Sequence, residues 1–100
     1  MTLTAKQKRN LRAQAHHLHP QILIGRNGVN PEQINQIKHA LIDHELVKIK
    51  FNAHKSQKET ISKEIVGKTE SIQIELIGNT LIIYKKNPES SKRKINPDSK

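Results

Sequence analysis

The chain has 100 residues, with 18 Lys and Arg against nine Asp and Glu, a net charge of +9 and no cysteine. That length allows one domain with a modest core, because a chain this short buries only about 60–65% of its unfolded surface. The lack of cysteine excludes a disulfide framework and any thiolate metal site. No apolar run approaches the roughly 20 residues of a membrane span, and the opening MTLTAKQKRN lacks the apolar core of a signal peptide. The cytoplasm is the expected compartment.

The positive charge is uneven. Lys6, Lys8, Arg9, Arg12 and Arg26 all precede the first acid, Glu32. A basic segment of this kind is an electrostatic footprint for a polyphosphate partner. A membrane surface would call for an amphipathic helix with a bulky apolar face, and the first helix is thinly apolar. Phe51 and Tyr84 are the only aromatics. Readers of single strands that work by base stacking need several exposed aromatic rings. A nucleic acid held here is therefore expected to be held by phosphates, sugars and shape.

In chain order, Thr4-Ala5-Lys6-Gln7 fits a capping box. It predicts a helix from Ala5 to about His16, with Leu11, Ala15 and Leu18 facing the core. The basic residues on its remaining surface are either a solvated face or a polyanion contact. His16, His17 and His19 have no Cys, Asp or Glu near them, and Pro20 moves His19 out of helical geometry. No metal is expected there; a histidine near the helix C-terminal dipole is the simpler reading.

Ile22-Leu23-Ile24 predicts a short buried strand. Gly25-Arg26-Asn27-Gly28 breaks it, and Asn30, Pro31 and Gln33 then supply an N-cap, a first-turn proline and a capping-box partner. Val29 and Ile34 fall at the staple positions. Such a turn brings backbone N–H groups and a positive helix end to one place, with Arg26 at its tip, which suits a phosphate. A tight strand-to-helix turn also needs glycine, so GxxG alone is compatible with a purely structural role. The sequence contains neither GxxxxGK[ST] nor GxGxxG, so no nucleotide cofactor is expected.

The second helix is expected from Pro31 to about Asp43, with an apolar stripe of Ile34, Ile37, Ala40 and Leu41. Leu46 to Phe51 reads as a strand with Val47, Ile49 and Phe51 on one face and Lys48 and Lys50 on the other. Those lysines could grip a backbone or merely solubilise an exposed sheet face. Ser56 to Glu59 is a further capping box, opening a helix with Ile61, Ile65 and Val66 that Gly67 should stop. Ile72–Ile77 and Leu81–Lys85 should form a hairpin across Gly78-Asn79.

The order α-β-α-β-α-β-β predicts an α/β two-layer sandwich: a four-stranded mixed sheet with helices mainly on one side. The early strands would be parallel through helical crossovers, and the last pair antiparallel. Residues 1–86 form the expected domain. Residues 87–100, NPESSKRKINPDSK, are poor in apolar side chains and read as a disordered basic tail. Its Lys92-Arg93-Lys94 cluster would add only non-specific attraction. No nucleophile is paired with a base, and His39, His44 and His54 have no visible partner, so no enzyme is expected.

Three blocks, LTAKQKRNLRAQAHHLHPQILIGRNGVN, ALIDHELVKIKF and ELIGNTLIIYKK, resemble in order and spacing the CRM domain in its stand-alone bacterial YhbY form. The likeness covers roughly residues 2–86. Residues 52–71 match loosely, and Lys85 follows Tyr84 where the family pattern has an arginine, which keeps the charge without the forked donor. The resemblance implies a fold similar to the C-terminal domain of translation initiation factor three. It also implies RNA binding through a GxxG loop used as in KH domains, and association with precursors of the large ribosomal subunit. Residue by residue, the loop is Gly25, Arg26, Asn27 and Gly28, with Lys6, Lys8, Arg9, Arg12, Lys48 and Lys50 as the supporting surface.

The expectation is thus a non-catalytic, monomeric RNA-binding ribosome assembly factor whose partner is structured RNA, with no membrane or small-molecule partner. One alternative is a protein-interaction module docking on a ribosomal protein. Another is a DNA-binding protein, for which no convincing helix-turn-helix is present.

Overall fold

The Thr4 hydroxyl accepts from the Gln7 amide, and the Gln7 side chain accepts from the Thr4 amide, both at 3.0 Å. Helix α1 (Ala5–Ala15) therefore begins where its capping box places it. In this computed structural model, which describes residues 2–99, the elements that follow are β1 (Ile22–Ile24), α2 (Pro31–His44) and β2 (Leu46–Phe51). A 3₁₀ turn (Lys55–Gln57) leads into α3 (Lys58–Thr69), β3 (Ile72–Ile77) and β4 (Thr80–Tyr84). The start of α2 is as expected in part: Pro31 opens it and the Asn30 side chain accepts from the Gln33 amide at 2.8 Å, but the Gln33 side chain returns no bond to the Asn30 amide, so the box is half formed.

Helix α3 departs from expectation at both ends. The box at Ser56–Glu59 does not form: Ser56 lies within the 3₁₀ turn, and the residue before the helix makes no side-chain cap. Gly67 does not stop the helix, which continues to Thr69 and ends on Glu70 in the left-handed region at φ 54°. Buried Thr69 is held by its hydroxyl, which donates to the Ile65 carbonyl at 2.7 Å and lies 2.8 Å from the Ser71 hydroxyl. These contacts carry the helix past a glycine that local sequence would make its end.

The sheet order is β1-β2-β4-β3, with β1 and β2 parallel and the β2–β4 and β4–β3 pairs antiparallel. Strand alternation divides the apolar residues between two faces. Val47, Ile49 and Phe51 of β2, Leu81 and Ile83 of β4, and Ile22 and Ile24 pack with Ile34, Ile37 and Leu41 of α2 and Ile65 of α3. On the other face, Leu46, Ile74, Ile82 and Tyr84 pack with Leu11 and Ala15 of α1. The helices thus lie mainly on one side, and α1 adds a partial third layer to the expected two. Because α1 covers only part of its face, β1 is not a fully buried strand: Leu23 is 54% exposed between buried Ile22 and Ile24.

The larger difference lies beyond β4. The segment expected to be disordered is tied down through Glu45, which is completely buried. Its carboxylate accepts from the backbone amides of Asn87 at 2.7 Å, Ile95 at 2.9 Å and Lys94. Ile95 packs on the α1 side of the core. Further along, the Asn10 side chain donates to the Pro97 carbonyl at 3.1 Å, that of Gln14 to the Asn96 carbonyl at 2.8 Å, and that of Gln7 to Asp98 at 3.0 Å. Polar composition alone misses this because the anchor is an acid 42 to 50 residues upstream.

Burial raises the pKa of the Glu45 carboxyl. The amides of Asn87, Ile95 and Lys94 and the charge of Arg93 outweigh it and hold the group below its ordinary value. A folded-state pKa below the unfolded one means that the latch stabilises the fold above the ordinary carboxylate range. That stabilisation is lost as the pH falls through the depressed value. In an NMR titration the Asn87, Lys94 and Ile95 amides should shift together only below the ordinary carboxylate range; a transition at or above it would contradict the latch. Gly67→Ala should stabilise the protein by about 0.5–1 kcal/mol, since an added Cβ would meet nothing within 4 Å; a thermal melt would register it.

Candidate nucleic-acid interface

The loop between β1 and α2 is a closed turn. The Gly28 amide donates to the Gly25 carbonyl at 3.0 Å, so one N–H that the sequence offers to a ligand is used by the turn itself. The amides of Arg26 and Asn27 take no part in that bond, and Gly25, Arg26 and Asn27 are exposed. Gly28 sits at φ +65°, a conformation that favours glycine. The two glycines therefore differ: Gly28 is required by the backbone, whereas a Cβ on Gly25 would have no neighbour within 4 Å.

The turn is also pinned from outside. His54, in the segment after β2 and itself left-handed at φ 57°, places its Nε2 2.8 Å from the Arg26 carbonyl. The same ring lies 3.6 Å from where a Cβ on Gly28 would stand. Sequence reading leaves His54 without a partner, since it is 28 residues from Arg26. The parallel pairing of β1 with β2 makes the connection: it sets Ile24 beside Phe51, and the Asn52 and Ala53 amides both donate to the Ile24 carbonyl. On the other side of the turn, Asn30 starts α2, whose positive end faces the same region.

The basic residues do not converge on one point. Lys6 and Arg9 are exposed on α1, and Lys8 and Arg12 are partly buried. Helix α1 packs on the Leu46 half of the sheet, whereas the Gly25–Gly28 turn follows the Phe51 end. The length of β2 separates these ends by about 17 Å, at about 3.3 Å per residue. Lys50 is exposed and registers opposite Leu23, next to the turn.

Lys48 corrects the expected lysine pair. Its ammonium donates to the Ala15 and Leu18 carbonyls at 3.3 Å each, satisfying the C-terminal end of α1. Lys48 thus joins Arg12, in the last turn, as a cation at that helix end, where His16 is the C-cap. Among the described residues, no three His, Cys, Asp or Glu side chains gather as a metal set, and no helix is long and apolar enough to cross a membrane.

A four-stranded mixed sheet with an exposed GxxG turn at the start of α2 and a strongly basic surface defines a small α/β module with features suited to a polyanion. Residues 3–85 match the CRS1 / YhbY (CRM) domain, and the chain belongs to that family. It is 38% identical over 90 residues to the "RNA-binding protein" of Haemophilus influenzae, covering 89% of this chain and 91% of the relative. It is 39% identical over 89 residues to "Probable RNA-binding protein YqeI" of Bacillus subtilis, covering 88% and 93%. The solution structure of the hypothetical protein SAV1595 from Staphylococcus aureus superposes with a TM-score of 0.76 at 31% identity, over 95% of this chain and all of that one.

Gly28→Ala should cost about 1–2 kcal/mol of stability through its left-handed backbone. Gly25→Ala should be close to neutral, because no space is contested there. Urea denaturation of the two variants would check the asymmetry, and equal losses would mean that the turn is not built this way.

Proposed function

We propose that this chain is a non-catalytic RNA-binding protein that acts in assembly of the large ribosomal subunit, in the cytoplasm and as a monomer. The observation that carries the reading is the exposed Gly25–Gly28 turn, fixed by His54 and set at the start of α2, in a chain of net charge +9. The names of its relatives support the RNA-binding part of it. The Arg26 side chain and the free loop amides would hold an RNA backbone. Lys6, Lys8, Arg9, Arg12 and Lys50 would supply attraction along the surface. The two Phe and Tyr rings are both buried and offer no stacking platform. The ribosomal assignment is drawn from the CRM resemblance, and the choice of phosphate and shape recognition from the residues.

If about five phosphates are neutralised, log affinity should fall against log salt with a slope of roughly −3.5 for a single strand to −4.5 for a duplex. A slope near zero would defeat an electrostatic mechanism. Arg26→Ala combined with Gly25→Asp should weaken RNA binding tenfold or more while leaving the melting temperature little changed. The substitution is placed at Gly25 because nothing lies within 4 Å of its Cβ position. In cells, ultraviolet crosslinks should concentrate in large-subunit ribosomal RNA or its precursor. Crosslinks scattered over messenger and transfer RNA would remove the assembly role and keep the RNA binding.

A further inference from the structure

We infer that the C-terminal segment is an ordered strap that presents Lys92, Arg93 and Lys94 as one end of an extended RNA-backbone surface, and that Glu45 is the residue that positions it. This rests on the RNA-binding reading above and extends its site to the other end of the molecule. A disordered tail would contribute only diffuse charge. This segment is held at both ends of its basic run. The Asn87 amide donates to one Glu45 carboxylate oxygen at 2.7 Å, and the Lys94 and Ile95 amides donate to the other.

Inside the loop so formed, the Arg93 Nε donates to the Asn87 carbonyl at 3.0 Å. The Lys92, Arg93 and Lys94 side chains remain exposed. Arg93 also acts on the charge of Glu45, and the one acid among residues 85–94 is Glu89, which lies 3.5 Å from Lys92 on the surface. An exposed pair of that kind is worth little and is easily exchanged for a phosphate.

Placement gives the cluster its partner. From Ile95 the strap continues along one flank of α1, bonded to Gln7, Asn10 and Gln14. The α1 residues on the remaining surface include Lys6 and Arg9, both exposed. From there α1 ends on Lys48 of β2, two residues before exposed Lys50, which registers beside Leu23 and the Gly25–Gly28 turn. Cations on the strap, on α1 and at Lys50 beside the turn are thus spread from the Tyr84 end of the sheet to its Phe51 end, about 17 Å along β2 alone, with Lys92 toward the α2 side beside Lys38 and Ile42 and Arg93 toward α1 beside Gln7. Cations spread over that length suit several consecutive phosphates, whereas a single bound anion would need only one group of them.

The test uses the full chain and a synthetic RNA hairpin with single-stranded flanks, titrated over a range of salt. Glu45→Gln removes a negative charge, so a charge-only account predicts tighter binding; the strap predicts binding about three- to tenfold weaker. Because that variant could also disturb folding, Lys92→Ala/Arg93→Ala/Lys94→Ala provides a surface-only counterpart. It should fold normally, bind at least tenfold more weakly and show a salt slope shallower by about 2–3.

Unchanged binding by the triple variant overturns the inference, as does unchanged or tighter binding by a folded Glu45→Gln. The Arg26→Ala/Gly25→Asp variant separates the two readings. If it weakens binding and the strap variants do not, only the strap fails. If the strap variants weaken binding and it does not, the turn is not the site and the strap stands. No binding by the unaltered chain overturns both.

Discussion

At Glu45 the chain turns from α2 into β2, and three parts of the molecule meet on this one residue. Its amide closes α2 by donating to the Leu41 carbonyl at 2.8 Å. Its carbonyl accepts from the Lys85 amide at 2.9 Å, joining the helix end to the end of β4. Its carboxylate gathers the strap. To do this the backbone adopts φ 61°, which an ordinary side chain avoids and which is maintained only when surrounding contacts over-determine it. A buried carboxylate is costly unless its oxygens are satisfied, and here backbone amides satisfy both. The strain and the burial make sense together, because this backbone conformation aims the acid at the strap.

The same joint divides the labour of the sheet. Val47, Ile49 and Phe51 serve the core beneath α2 and α3, and Leu46 begins the smaller core beneath α1. Tyr84 closes that second core. Burial raises the pKa of its hydroxyl, the neighbouring Glu45 charge raises it further, and Arg93 opposes both. Two small cores on opposite faces are a stable solution for a short chain only if the sheet between them is fully packed where the helices lie. The cost is an uncovered strip beside β1, where Leu23 and Lys50 stand in the open next to the turn. An unfilled face and an exposed loop adjoin because α1 packs at the other end of the strands.

The turn itself shows how a weak motif becomes a defined structure. A GxxG string by itself is compatible with many tight turns. What distinguishes this one is the fixing of its carbonyl side by His54 and its connection to a capped helix, which leave the outward side exposed and hold it in one shape. A preformed loop loses less conformational entropy on meeting a ligand than a mobile one. The proposed RNA contact would draw on that shape more than on glycine content.

Much of this was legible in the sequence because it is local. Thr4 and Asn30 name their own helix starts through side chains that reach three residues ahead. Alternation in LVKIKF and the Gly78-Asn79 turn identify strands, and glycine spacing identifies the exposed loop. The three blocks of family likeness added RNA, which no composition could. Contacts between distant residues decided the rest. Thr69 carries α3 past Gly67, Lys48 turns from the sheet to the end of α1, and His54 reaches Arg26 across the β1–β2 pairing. Above all, Glu45 orders a segment whose polar composition reads as disordered, because an amide needs only an acceptor and sequence neighbours do not reveal one 42 to 50 residues away. Local hydrogen bonding and periodicity are written along the chain; the satisfaction of buried charge is settled only when the chain has folded.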